Sequence, residues 1–390
     1  MTDRLTAVEA AARLGVKRET LYAYVSRGVL GREMAIDGRT SLFDAREIDA
    51  LRRQSRRTAR GELTTVVASA ITRLDETGHS YRGTRVADLV GADRDFEEVA
   101  DLLWEGSGDW PVSVESTVAA VQAALPETSP GLDRLRASVA ALSAGDPLRH
   151  DLSPVGVAAA GRRSLTAMVD GLPRRRRGRD SGRLADRLWP RITRQPATDE
   201  HRRCLNAALV TLADHGLAAS TFAVRVAASV RADAYSALTA GLGALGGQLH
   251  GAASAGVHRM LVRADEEASA EVAVGEILRR GERIPGCGHP IYRDVDPREE
   301  VLGRLIRDAW SGDPRVEIVD AVSTLGAERS GRAPNIDMAI GALTWLADTD
   351  TEAGEVIFAV ARTAGWLAHA IEELGEKPAR FRPEARYVGP

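Results

Sequence analysis

The stretch "GCGHPIYRDVDPR", residues 286 to 298, places an imidazole, a phenol and a guanidinium on an irregular segment of a chain that otherwise reads as alanine-rich helix. Two further segments share this character: "LADHGLAASTFAVRVAAS" carries His215 and "GALGGQLHGAASAGV" carries His250, each beside glycine or alanine. A fourth, "RAPNIDMAIG", sets Asp337 shortly after Pro334. Small neighbours let backbone and ligand approach a polar group closely. Imidazole exchanges a proton near neutral pH, a carboxylate can serve as base, and a planar guanidinium matches a carboxylate with two hydrogen bonds. Any one of these histidines alone is more often structural, and His79, His150, His201, His258 and His369 are read that way.

Helices must position these groups. "FEEVADLLWEG", "RLRASVAALSA", "HRRCLNAALVTLADHG", "TFAVRVAASV" and "GEVIFAVARTAGWLAHAIEELG" all follow the 3.6-residue period. Aromatics are only 4% of 390 residues while hydrophobic residues are 44%, a balance that favours close-packed helices over aromatic-rich strands. No βαβ alternation is evident. The formal G-x-G-x-x-G at Gly241, Gly243 and Gly246 therefore lacks the strand that dinucleotide binding requires. The arginine-rich "PRRRRGRDSGR" at 173–183 reads as a solvated connection. Cys204 and Cys287 are too few for a disulfide framework or a structural zinc site, and no metal is expected. The most apolar run, "GEVIFAVARTAGWLAHAI", is interrupted by Arg362 and falls short of a membrane span. A soluble, cytoplasmic protein is expected.

The overall net charge of −3 conceals a basic first sixty residues on an acidic remainder. In "LTAVEAAARLGVKRETLYAYVSRGVL", Thr6 and Glu9 form a capping box, and Ala10, Ala11 and Leu14 recur at helical spacing. Gly15 supplies a turn, and Val16, Leu21 and Val25 pack a second helix back on the first. Arg18, Tyr22 and Arg27 are left facing outward, as groups that could enter a DNA major groove. Asp37-Gly38 signals a hairpin after them. Residues 5 to about 53 resemble the MerR/excisionase type of helix-turn-helix, although Lys17 stands where a Ser or Thr usually caps the second helix.

The four islands, in order, resemble the citrate synthase family, which includes 2-methylcitrate synthases. "YRG" at 81–83, "FEEVADLLWEG" at 96–106, "DHGLAASTFAVRV", "GQLHGA", "GCGHPIYRDVDPR", "PNID", "ARTAGWLAHAIEE" and "RP" at 382–383 all fall in family order, over about residues 61 to 390. The resemblance implies an all-α fold. A large domain would span 61–251 and 349–390, a small domain 252–348, and a helix-turn-helix domain 1–60 would precede both. It implies an acyltransferase that condenses acetyl-CoA or propionyl-CoA with oxaloacetate to give citrate or 2-methylcitrate and CoA. No cofactor is permanently bound, because the coenzyme A thioester is a substrate.

The same resemblance assigns roles. Asp337 is the base that removes a proton beside the thioester. His250 donates a hydrogen bond to the thioester oxygen, and His289 polarises the ketone. His215, Arg298, Arg362 and Arg382 bind oxaloacetate, Arg382 reaching the site of the other subunit of a homodimer. The alternative is a DNA-binding regulator whose body only senses a metabolite, although a sensor has no need for a carbon-acid base. The chain departs from the family pattern at Gly216, at Ser254 and Ala255, and at Pro290, which bears on substrate choice more than on reaction type.

Overall fold

The computed structural model describes residues 4–26, 30–35, 40–49, 51, 66–75, 78–177, 182–247, 250–251, 253–383, 387 and 389. The chain divides into two compact units, Met1–Ala68 and Ser69–Pro390.

In the first unit the helices Ala7–Leu14 and Arg18–Ser26 are joined at Gly15, whose φ of 73° is the left-handed conformation that glycine adopts at no steric cost. The capping box is present: the Thr6 hydroxyl accepts from Glu9 N–H, and the Glu9 carboxylate accepts from Thr6 N–H at 2.8 Å. Ala10, Ala11, Leu21, Phe43 and Ile48 form the core, with Val25 half-buried. Arg18 is exposed. Tyr22, expected to face outward, instead packs its ring edge-on to Phe43 and donates to Ser41 Oγ at 3.5 Å. A hydroxyl partner and an aromatic neighbour make the core side the better place for that ring. Arg27 and Asp37-Gly38 lie outside the described residues. The strands flanking that turn signal, Glu33–Met34 and Ser41–Asp44, pair antiparallel, and Arg4–Thr6 completes a three-stranded sheet.

The second unit is helical around one continuous apolar core. Among the described residues it also holds a three-stranded sheet, Thr72–Asp75, Gly78–Tyr81 and Thr84–Arg85, which the sequence did not signal. Strands this short cannot display the alternation by which a strand is recognised. The "YRG" motif is its second turn, with Arg82 and Gly83 both at positive φ. Tyr81 is fully buried, and its hydroxyl donates to carbonyls at the end of the Asp199–Leu212 helix and accepts from Asp214 N–H at 3.1 Å. This anchors the sheet beside "DHG".

The 22-residue helix Ala353–Leu374 is buried on nearly every face, which explains its apolar sequence. Among the described residues no helix is long and apolar enough to cross a membrane. Gly365 lets this helix touch the chain at Ala213–Asp214. A Cβ there would lie 2.4 Å from both the Ala213 carbonyl oxygen and Asp214 Oδ1, and the Gly365 N–H donates to that carbonyl at 3.0 Å.

Candidate active site

The opening motif is laced to "APNID". Gly288 N–H donates to Ala333 O and Asn335 N–H to Gly286 O, both at 2.8 Å, while Asn335 Nδ2 donates to Gly288 O at 2.7 Å. Asn335 Oδ1 also accepts from Asp337 N–H at 2.9 Å, which caps the helix Ile336–Leu346. One asparagine thus starts the helix carrying Asp337 and holds the loop carrying His289. Gly286 has φ 75°, and a Cβ there would press on Met338 and Val257.

Asp296 does similar work for "DPR". It caps the helix Pro297–Ala309, grips Arg298 through both oxygens at 2.9 and 2.7 Å, and accepts from Ile336 N–H at 3.1 Å. Arg298 is therefore buried in an ion pair, with only its Nη1 outside the pair. Arg362 is buried too, but among the described residues it forms no ion pair; its Nε donates to Leu212 O at 2.8 Å and its guanidinium lies 4.5 Å from the Phe358 ring. A buried guanidinium without a salt-bridge partner is a ready receptor for a carboxylate.

Two of the expected side chains, His215 and His289, meet directly, and Arg298 joins them through Tyr292. The His215 ring lies edge-on to His289 at 5.2 Å, His215 Nε2 bonds Tyr292 Oη at 3.2 Å, and Arg298 covers the Tyr292 ring at 5.3 Å. His289 Nδ1 accepts from the N–H groups of Ile291 and Tyr292, at 3.2 and 3.3 Å, so its proton sits on Nε2. Burial and the Arg298 charge push its pKa down to about 4, which keeps it a neutral donor. His215 is driven well below the usual imidazole range by burial, then Arg298.

His250 and Arg362 both lie against Phe358, the His250 ring 5.9 Å from the phenyl. Ser220 Oγ accepts from Trp366 Nε1 at 3.2 Å and lies 2.7 Å from His250 Nε2. Among the described residues His250 Nε2 is the one acceptor bonded to this hydroxyl, so the serine proton goes to Nε2, leaving the Nδ1–H of His250 to donate. Burial and Arg362 hold this imidazole below its ordinary pKa.

Asp337 has Arg298, Asp296 and Arg362 as its charged neighbours. Burial raises its pKa to about 6, with the two guanidiniums opposing the rise and Asp296 adding to it. This is a carboxylate held near the pH where a base works best.

The contacts gather these residues around Tyr292 and around Phe358, with Asp337 in the field of Arg298 and Arg362. Arg382 is exposed and makes no recorded contact with the others among the described residues; its neighbour Phe381 packs on Phe222 at 5.2 Å. Several neighbours were missed in the sequence. His79, set aside as structural, lies edge-on to His215 at 5.7 Å, and Asp296, Ser220 and Phe358 had no separate signal. Beside His289 opens a cavity of about 470 Å³ lined by Arg283, Arg293 and Arg332.

Neutral imidazole donors, a raised carboxylate and buried guanidiniums define a helical enzyme that handles a carboxylate-bearing substrate by proton transfer. The family model described as citrate synthase, C-terminal domain, matches residues 62–384. The chain is 33% identical over 340 residues to citrate synthase of Haloferax volcanii, covering 79% of this chain and 89% of that protein. It is 31% identical over 340 residues to 2-methylcitrate synthase of Mycobacterium tuberculosis, covering 80% and 84%. Among solved structures, the ternary complex of carboxymethyl coenzyme A and oxaloacetate with citrate synthase from Thermoplasma acidophilum superposes with a TM-score of 0.73 at 25% identity, covering 85% of this chain and 96% of that one. The chain belongs to the citrate synthase family.

Proposed function

We propose that the chain condenses acetyl-CoA or propionyl-CoA with oxaloacetate, giving citrate or 2-methylcitrate and free CoA. The observation that carries this reading is Asn335, which starts the helix of Asp337 and holds the loop of His289, fixing the base relative to the imidazole. A carbon beside a thioester is a much weaker acid than a carboxylic acid, so its proton leaves only if the developing enolate oxygen is stabilised. The Asp337 carboxylate takes the proton and the Nδ1–H of His250 donates to that oxygen. The carbon then attacks the ketone, whose oxygen receives the Nε2–H of His289. Hydrolysis of the thioester by water releases CoA.

Arg362 and Arg298 Nη1 hold the oxaloacetate carboxylates, with His215 beside them, and Arg382 serves the partner's site in a homodimer. The arginine-lined cavity beside His289 suits the phosphates of coenzyme A. Residues 252–348 act as the small domain that closes on 61–251 and 349–390. Thiol release from acetyl-CoA and propionyl-CoA with oxaloacetate, followed by a disulfide reagent, tests the whole reading. No release with either thioester overturns it.

The Ser220 hydroxyl selects the His250 tautomer. Ser220→Ala is expected to lower kcat about tenfold, while the KM for oxaloacetate moves less than about twofold, since a lost orienting hydrogen bond costs ~1–2 kcal/mol. Steady-state kinetics on both substrates checks this.

The first unit supports a second role, DNA binding by a MerR/excisionase-like helix-turn-helix, with Arg18 on the reading helix and Tyr22 bracing it. The capped helical hairpin turning at Gly15 favours this reading. Phosphate contacts release counterions, so gel-shift affinity is expected to fall about tenfold or more between 50 and 200 mM salt. Absence of binding at low salt removes this role and leaves the enzyme untouched.

A further inference from the structure

One face of the Ala353–Leu374 helix runs along the chain from Leu212 to Asp214. Arg362 Nε donates to Leu212 O, Gly365 N–H to Ala213 O, and two turns from Arg362, on the same side, His369 meets the Asp214 carboxylate. His369 and Asp214 are both fully buried, and neither is used by the chemistry above. His369 Nδ1 accepts from Arg225 Nη1 at 2.9 Å, because a guanidinium has only donors. The imidazole proton is thereby placed on Nε2, 3.4 Å from Asp214 Oδ1. Neither of those two atoms has a hydrogen-bond partner, so each is left for the other.

The other oxygen of Asp214 accepts from Thr72 Oγ1 at 2.6 Å and from Gly216 N–H at 2.9 Å. Gly216 and Asp214 flank His215. Among its negative neighbours, Asp214 does most to favour the charge on Arg362. Behind His369, Arg225 is held by Glu373 at 2.9 Å and Glu372 at 2.5 Å, and Glu373 is also gripped by Arg380, two residues before Arg382.

We infer that His369 is a positioning residue: its Nε2–H holds Asp214, and Asp214 sets His215 and the Arg362 guanidinium for the oxaloacetate carboxylates. The row of Arg380, Glu373 and Arg225 fixes the imidazole from behind and ties it to the C-terminal segment. This inference rests on the condensation reading above.

Two near-isosteric substitutions separate positioning from mere packing. His369→Gln puts an amide N–H where Nε2 was and can still donate to Asp214. His369→Asn keeps an acceptor for Arg225 but cannot reach Asp214. Steady-state kinetics with oxaloacetate and acetyl-CoA or propionyl-CoA should show the oxaloacetate KM raised about tenfold in His369→Asn, as expected for a buried carboxylate that loses a donor. Its KM for the thioester should stay within about twofold, and His369→Gln should recover most of the oxaloacetate affinity. Thr72→Val, which strips a donor from the other Asp214 oxygen at a half-buried strand position, should raise the oxaloacetate KM about threefold and covers the case of a histidine variant that does not fold. If wild type turns over while the Asn and Gln variants behave alike, or Asn is the better tolerated, the positioning role is overturned alone. An unchanged oxaloacetate KM in Thr72→Val also overturns it. A wild type that releases no thiol overturns the condensation reading and this role with it.

Discussion

Asp337→Asn is expected to lower thiol release by about 10²–10⁴-fold, the span that a positioned general base contributes. Oxaloacetate binding, followed by calorimetry, should survive, because the arginines and His215 remain. In wild type the rate should fall away on the acid side with a midpoint near pH 6, where the Asp337 carboxylate takes up a proton. Stability should move the other way. The Asp337 pKa is raised from 3.8 to about 6 in the folded state, so the native protein holds this proton more tightly than the unfolded chain does. Ionisation therefore costs stability above pH 6, by on the order of 3 kcal/mol. The asparagine variant escapes that cost, so at pH 7 it should melt higher than wild type. The gain should shrink as the pH falls through 6 and vanish below about 4. An inactive variant with no such pH-dependent gain would mean that Asp337 is not the strained, desolvated base described.

Arg362→Met is expected to weaken oxaloacetate binding by about 10²–10³-fold, since removing one partner of a buried charge pair costs ~2–5 kcal/mol. The variant should leave thioester binding nearly intact, which separate titration with each substrate would reveal. Arg298→Met should be milder in binding but harsher on folding. Arg298 is already paired with Asp296, and its loss leaves that buried carboxylate with only backbone donors. A reversed order would show that Arg298, and not Arg362, carries the substrate.

The groups to which the proposal gives the chemistry were legible because they stand out locally: His215, His250, His289 and Asp337 each sit among residues that would otherwise build plain helix. Arg362 announced itself as a cation in an apolar run. Other contributors carried no such mark. His79 and His369 lie in ordinary strand and helix patterns, and their importance comes from what long-range folding sets against them, Gly78–Tyr81 beside "DHG" and the Ala353–Leu374 helix beside Asp214. Tyr22 could be placed on a helix face, but its partner Phe43 is on a strand too short to read. Arg382 was named only through the family resemblance, and its exposure fits a residue whose work lies elsewhere than in its own chain's cleft.

Gly365 sits in the middle of the longest helix, where alanine would be favoured by roughly 1 kcal/mol on local grounds. The clearance it provides is the difference between a hydrogen atom and a methyl group. Arg362 and His369 stand on either side of it, so widening that gap would draw both away from Leu212 and Asp214 together. A programme that sought thermal stability by filling helical glycines with alanine would here gain helix propensity and surrender the anion receptor.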